Sequence, residues 1–190
     1  LDPATSKLIV FVHGIDGNAR DTWRGTIEQT PTSWPEIVAQ DSLFADADIL
    51  VSNYFSTKWR ESPGISVLAA GFANELRENG ALDKSTSGAD RYQSILFVAH
   101  SMGGLIVRQS LIDNNELARR TKALFTFASP TGGSQLANWL SVASESQSLK
   151  DMKRVFRLKY KLNSEHEVEA ASSSFLRDLR INWRNHGYLE

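Results

Sequence analysis

Ser101 sits in the stretch "LFVAHSMGGLIVRQ", residues 96–109, between an apolar run and a helical pattern. Ala99 precedes it by two positions, and Gly103 and Gly104 follow. A serine hydroxyl attacks a carbonyl carbon when three conditions meet. It must be presented clear of its neighbours, a base must remove its proton, and donors must receive the charge that forms on the carbonyl oxygen. A strand, then small-x-Ser-x-Gly, then a helix makes a sharp corner that gives the first condition, because larger side chains two residues to either side would strike neighbouring elements. Glycine is common where this chain has Ala99, and alanine is the smallest departure from it. The helix opening at Met102 aims its first N–H groups at the corner, where negative charge would develop. A serine that merely capped a helix would fit the same short pattern, so the corner needs a counterpart elsewhere.

That counterpart is "FVHGIDGNARDTW", residues 11–23, again placed after an apolar run. In acyl transfer of this kind such a loop gives one oxyanion donor and the residue after the nucleophile gives the other. The expected donors are the backbone N–H groups of Ile15 and Met102. Asp16 and Asp21 read as shaping the loop's turn, and no group of residues has metal-ligand spacing. Neither metal nor cofactor is implied.

Holding these residues requires strands. The runs 7–12 "KLIVFV", 48–52 "DILVS", 94–99 "SILFVA" and 122–128 "KALFTFA" are nearly continuous in apolar residues, as parallel strands covered on both faces are. Ser62-Pro63 reads as a helix start, followed by a stripe of Ile65, Leu68, Ala69, Phe72, Ala73 and Leu76 that Gly80 closes. A second helix begins at Met102 and carries Leu105, Ile106 and Ile112. The polar stretch 80–91 reads as a surface loop. Alternating strand and helix predicts an α/β fold, a parallel sheet with helices on both faces. Past Pro130 only helical stripes are evident: Leu136, Trp139, Leu140 and Ala143; Leu149, Met152, Val155 and Phe156; Phe175, Leu176, Leu179 and Trp183. A helical cap or tail over 134–188 is expected, with no later strand.

The motifs "VHGIDGNARDTW", "VAHSMGG" and "TFASPTGGSQLA" resemble those of the α/β-hydrolases. The similarity is greatest to the serine-esterase and lipase branch that includes the serine-active-site-containing proteins and the GPI inositol-deacylases. It covers residues 7–140. In the third motif Ala128-Ser129-Pro130 stands for the branch's Gly-Thr-Pro, and Thr131 for its usual histidine. The resemblance implies Ser101 as nucleophile and carboxylic esters, lipid or other acyl esters, as substrates. It also implies that His13 and Gly14 support the oxyanion loop.

Four histidines could serve as base. His13 belongs to the loop, and His100 is expected to point beneath the corner as a support. His166 and His186 fall in helical patterns with no strand ahead of them. Asp151, Glu165 and Asp178 follow Ser101 but also lie in helical patterns, where a solvated face is the default. In this fold the acid and histidine follow later strands. Residues 1–190 therefore read as a single domain truncated before those strands, a piece of a longer chain. The absent initiator methionine and the closing Leu189-Glu190 point the same way. Alone, such a piece is expected to turn esters over poorly.

Composition narrows the field. The chain is 41% hydrophobic, 23% charged and carries a net charge of -1, which gives no reason to expect nucleic acid. It has no cysteine, which excludes disulfides and thiolate metal sites. No apolar run approaches a membrane span. The stretch 150–161, "KDMKRVFRLKYK", reads as a basic amphipathic helix that would either contact a membrane surface or be a solvated face. A cytoplasmic or peripheral-membrane location fits this. Tyr54, Phe55 and Trp59 would line an acyl pocket or simply pack. Two other functions fit the same residues: an incomplete hydrolase module that binds acyl groups or proteins, and the effector domain of a larger signalling or defence protein.

Overall fold

The computed structural model describes residues 5–14, 17–54, 64–130, 159–162, 168–172 and 174–188. Four parallel strands form the central sheet: β1 (Lys7–Val12), β4 (Ala47–Ser52), β5 (Ser94–His100) and β6 (Thr121–Phe127), in the spatial order β4-β1-β5-β6. Each coincides with a predicted apolar run to within a residue or so. The register places Val12 beside both Ser52 and Ala99. The segments that follow, from His13, Asn53 and Ser101, therefore leave the sheet at one level. Ligand sites in parallel sheets form at this carboxyl edge.

Period-two alternation divides the strands between two apolar layers. Leu8, Val10, Ile95, Phe97 and Ala99 face helices α2 (Ile65–Glu78) and α3 (Met102–Asp113), packing with Phe72, Leu76, Leu105 and Ile106. Ile9 and Phe11 face the other way, onto Trp23, with Val51, Leu96 and Val98 around them. The α2 stripe is the predicted one, with Ile65, Leu68, Ala69, Phe72 and Leu76 all buried. Its start differs: Gly64 is the N-cap, while Ser62 and Pro63 lie outside the described residues. Its end is as expected. Gly80, at φ 74°, lets the Ala81 and Gly80 amides turn back to the carbonyls of Leu76 and Arg77. A short helix, α4 (Asn115–Arg120), leads into β6.

Two elements on the Trp23 side had no reading in the sequence. An antiparallel hairpin joins β2 (Arg24–Ile27) to β3 (Thr30–Ser33) and passes directly into α1 (Trp34–Gln40). Its two turn residues, Glu28 and Gln29, have φ values of 48° and 67°. The usual Asn-Gly signal of such a turn is absent, so nothing marked the hairpin. The helix did have a signal. Ser33 is an N-cap whose hydroxyl accepts from the Glu36 amide, with Pro35 in the first turn.

The C-terminal region corrects one expectation and meets another. Helix α5 (Ser174–Asn185) packs Leu176, Leu179 and Trp183 into the core near α3, and the Arg108 guanidinium lies 4.9 Å from the Trp183 ring. Between them the expectation of no later strand fails: β7 (Lys159–Leu162) and β8 (Val168–Ser172) pair antiparallel. The basic helix read over 150–161 does not extend through its last residues. Lys159-Tyr160-Lys161-Leu162 alternates with period two, a strand pattern that a helical stripe absorbs when read in a longer window. Residues 134–158 lie outside the described residues. Among the described ones no helix is long and apolar enough to cross a membrane.

Candidate active site at the carboxyl edge of the sheet

Ser101 occupies a one-residue corner between β5 and α3, with φ 53° and ψ −124°. L-residues avoid this region, and holding one there costs about 1–3 kcal/mol. Neighbours fix it. The Ser101 amide donates to the Phe127 carbonyl over 2.8 Å. Its own carbonyl accepts from the Ser129 hydroxyl at 2.8 Å and the Gly104 amide at 3.2 Å. The Ser101 side chain makes no helix-capping hydrogen bond, so capping is not its role.

The small residues around the corner are required by contact. Ala99 is completely buried. A Cβ on Gly103 would stand 2.4 Å from the His13 carbonyl oxygen and 2.6 Å from that of Val12, both backbone atoms. One on Gly104 would meet the Ser129 hydroxyl at 2.2 Å. One on Gly14 would lie 2.8 Å from the Ser101 Cβ and 3.2 Å from its Oγ. The loop after β1 therefore lies directly against the serine, which is the juxtaposition the two motifs predicted. Met102 is buried at the head of α3; Ile15 and Asp16 lie outside the described residues.

A second set of contacts positions that loop. His13 is buried, its ring stacked on Tyr54 with centroids 4.4 Å apart. The Tyr54 hydroxyl donates to the His13 carbonyl at 2.8 Å. The Glu75 carboxylate, on α2, accepts from the Ser52 hydroxyl and from the Asn53 amide at 2.8 Å, which fixes the chain leading to Tyr54. Further along the loop, the Asn18 side-chain oxygen accepts from the Arg20 and Asp21 amides, and its amide donates to Asp21. Asp21 thus shapes the turn, as read from the sequence. The His13 Nδ1 lies 2.8 Å from the Gly14 carbonyl, so Nδ1 carries the proton and donates it. Burial lowers the His13 pKa against the opposing pull of that bond and of Glu75.

One expectation needs correction. His100 does not point beneath the corner. Buried side chains on β5 are Ile95, Phe97 and Ala99, so His100 falls on the opposite face and is exposed. It lines an open groove of about 330 Å³ between the hairpin and the end of β6. Tyr54 packs, the second of its two readings, and is buried under the loop; Phe55 and Trp59 lie outside the described residues. His186 is exposed at the end of α5, its Nδ1 2.8 Å from the Asn182 carbonyl and its ring stacked beside Tyr188. The Tyr188 hydroxyl reaches the Leu111 carbonyl, about 13 Å along α3 from Met102 by helical rise. His186 is thus held at the far end of α3 from Ser101. Asp178 is exposed on α5, while Asp151, Glu165, His166 and Thr131 lie outside the described residues. Among the described residues no cluster of His, Asp or Glu could hold a metal ion. Glu75 went unnoticed in the sequence, because an acid on a helical stripe carries no mark of reaching the next strand's end.

Residues 3–177 match the family described as "Putative serine esterase (DUF676)". The chain belongs to this family. Relatives of the DUF676 chain include Protein SERAC1 of Mus musculus, 22% identical over 159 residues, and of Bos taurus, 23% identical over 155. Each comparison covers 69% of this chain and 22% of the relative, so the DUF676 chain spans about a fifth of their length. Among solved structures it is similar to the mature form of Bacillus licheniformis lipase BlEst2. The TM-score is 0.50 at 20% identity, covering 97% of this chain and 61% of that one. That likeness is one of fold, and the fold is of the α/β-hydrolase kind. The DUF676 chain thus joins a family described as putative serine esterases to an α/β-hydrolase fold.

Proposed function

We propose that the chain carries the nucleophile and oxyanion site of a serine hydrolase acting on carboxylic esters, lipid or other acyl esters among them. The observation that carries this reading is the left-handed backbone of Ser101 at the strand–helix corner. Strain of that size persists where it has a use. The hydroxyl attacks the ester carbonyl, and the Met102 amide at the head of α3 receives the oxyanion with the amide of Ile15. A histidine takes the hydroxyl proton and passes it to the leaving alcohol. Water then repeats the sequence on the acyl-enzyme.

The base in this reading is a histidine other than His13 and His186. His13 is buried with its Nδ1 engaged by Gly14, and His186 is held at the other end of α3. His166 is the one histidine of this chain outside the described residues. Ethylboronic acid tests the site without requiring turnover. Boron becomes tetrahedral when a nucleophilic serine adds to it, and boron NMR detects the change. The expected result is a tetrahedral signal from the parent chain and none from Ser101→Ala. An equal signal from both would overturn the assignment.

A further inference from the structure

Beside the corner lies the groove that His100 and Phe127 line. Ile27, Trp34 and Phe127 line it with exposures of 56%, 46% and 42%, high for large apolar side chains gathered in one place. The Trp34 and Phe127 rings meet edge to face at 5.0 Å, and buried Trp23 forms the floor, 6.2 Å from Trp34. Arg24 is the one ionised side chain among the residues lining it, and it lies 3.9 Å from Asp21. A charged ligand would find little to recognise here. An apolar one would cover surface now in contact with water.

The groove is continuous with the corner through two residues. His100 lines it and directly precedes Ser101; Phe127 lines it and accepts the Ser101 amide through its carbonyl. An ester held at Ser101 therefore has this groove as its neighbour. We infer that the groove between the β2–β3 hairpin and the end of β6 holds a linear hydrocarbon chain of the ester, an inference that rests on Ser101 being the nucleophile. Its volume, at the low end for small-molecule pockets, suits one such chain. The chain comes from the acyl or the alcohol side, both being the same hydrocarbon to these walls.

A homologous series separates these sources. Alkylboronic acids from ethyl to octyl carry the chain on the acyl side. The matching alkanols, followed by quenching of tryptophan fluorescence with ω-bromo analogues, represent the alcohol side. Affinity in at least one arm is expected to rise up to about fourfold per added methylene, the gain for burying a CH₂ group. Ile27→Asp places a carboxylate on the exposed rim and should remove most of that gain while leaving ethylboronic acid binding and thermal stability unchanged. A gain in either arm that Ile27→Asp abolishes supports the groove. No chain-length dependence in either arm, or one that Ile27→Asp leaves intact, overturns it. Failure of ethylboronic acid to form a tetrahedral adduct would instead count against Ser101, and the alkanol arm would still report on the groove.

Discussion

The amide of Ser101 donates to the carbonyl of Phe127 on the neighbouring strand, across 2.8 Å. The corner is thus clamped to β6, and Ser129, two residues beyond Phe127, clamps its other side through the Ser101 carbonyl. A residue strained at φ 53° stays there because the groups on either side are held.

Releasing that strain should stabilise the protein while removing the nucleophile. Ser101→Gly relieves a cost of about 1–3 kcal/mol, offset by roughly 0.5–1 kcal/mol of glycine's extra chain entropy. The melting temperature should rise by a few degrees. Ser101→Ala keeps the strained backbone and should melt like the parent. Ala128, at φ 52° where related motifs have glycine, should respond to Ala128→Gly in the same direction. Thermal melts of the three variants check this, and equal melting of Ser101→Gly and Ser101→Ala would show that the corner stores no strain.

Gly103→Ala adds one methyl group against two backbone carbonyls at 2.4 and 2.6 Å, neither of which can swing away. Either α3 or the end of β1 must shift, so a loss of about 2–3 kcal/mol is expected, within the range for overpacking. Urea unfolding measures it. Gly71, with nothing within 4 Å of an added Cβ, is the control and should gain stability as alanine in mid-helix. A Gly103→Ala variant as stable as the parent would mean that the turn is placed wrongly.

The parallel strands, α2, α3 and the small residues of the corner were legible in the sequence because each depends on its own local pattern. Runs of Val, Ile, Leu and Phe announce buried strands, and a corner that excludes Cβ atoms announces itself by alanine and glycine. The β2–β3 hairpin left no such trace, since Glu28-Gln29 takes up a left-handed turn without the residues that favour it. The orientation of His100 departs from expectation for another reason. The strand's alternation, counted from Ala99, puts it on the groove face, whereas its place beside Ser101 in the chain suggests a support beneath the corner. Glu75 acts across 22 residues on the Asn53 amide, a contact that only the folded chain brings about.

The hairpin turn offers a stabilising change. Glu28→Asn with Gln29→Gly supplies the residues that a two-residue left-handed turn prefers, and should add about 1 kcal/mol or more by relieving two non-glycine residues at positive φ. Because the hairpin forms one wall of the groove, it should also lower the exchange rates of amides in β2 and β3. Hydrogen exchange reads both. Unchanged protection and unchanged stability would contradict the turn geometry.

Acid should weaken the site through His13. Its folded pKa lies below the ordinary value because burial penalises the charged ring. Below about pH 6.5 the unfolded chain therefore takes up the proton before the folded one does, and stability falls as pH drops into that window. The His100 ring, exposed on its groove side, is partly desolvated on the other, which lowers its pKa as well and contributes in the same direction. Urea unfolding at pH 7.5 and 5.5 should show the parent losing stability on acidification, with a smaller loss in His13→Gln. An equal loss in both would assign the pH dependence elsewhere.

Ser101 is the nucleophile only if it is the serine that reacts. Incubation with a small alkyl fluorophosphonate, trypsin digestion and peptide mass analysis would read the adduct on the peptide spanning residues 92–108, which contains Ser94 and Ser101. With the base present, one adduct is expected, located by fragmentation at Ser101 and absent from Ser101→Ala. An adduct at another serine, or labelling that survives Ser101→Ala, would contradict that assignment.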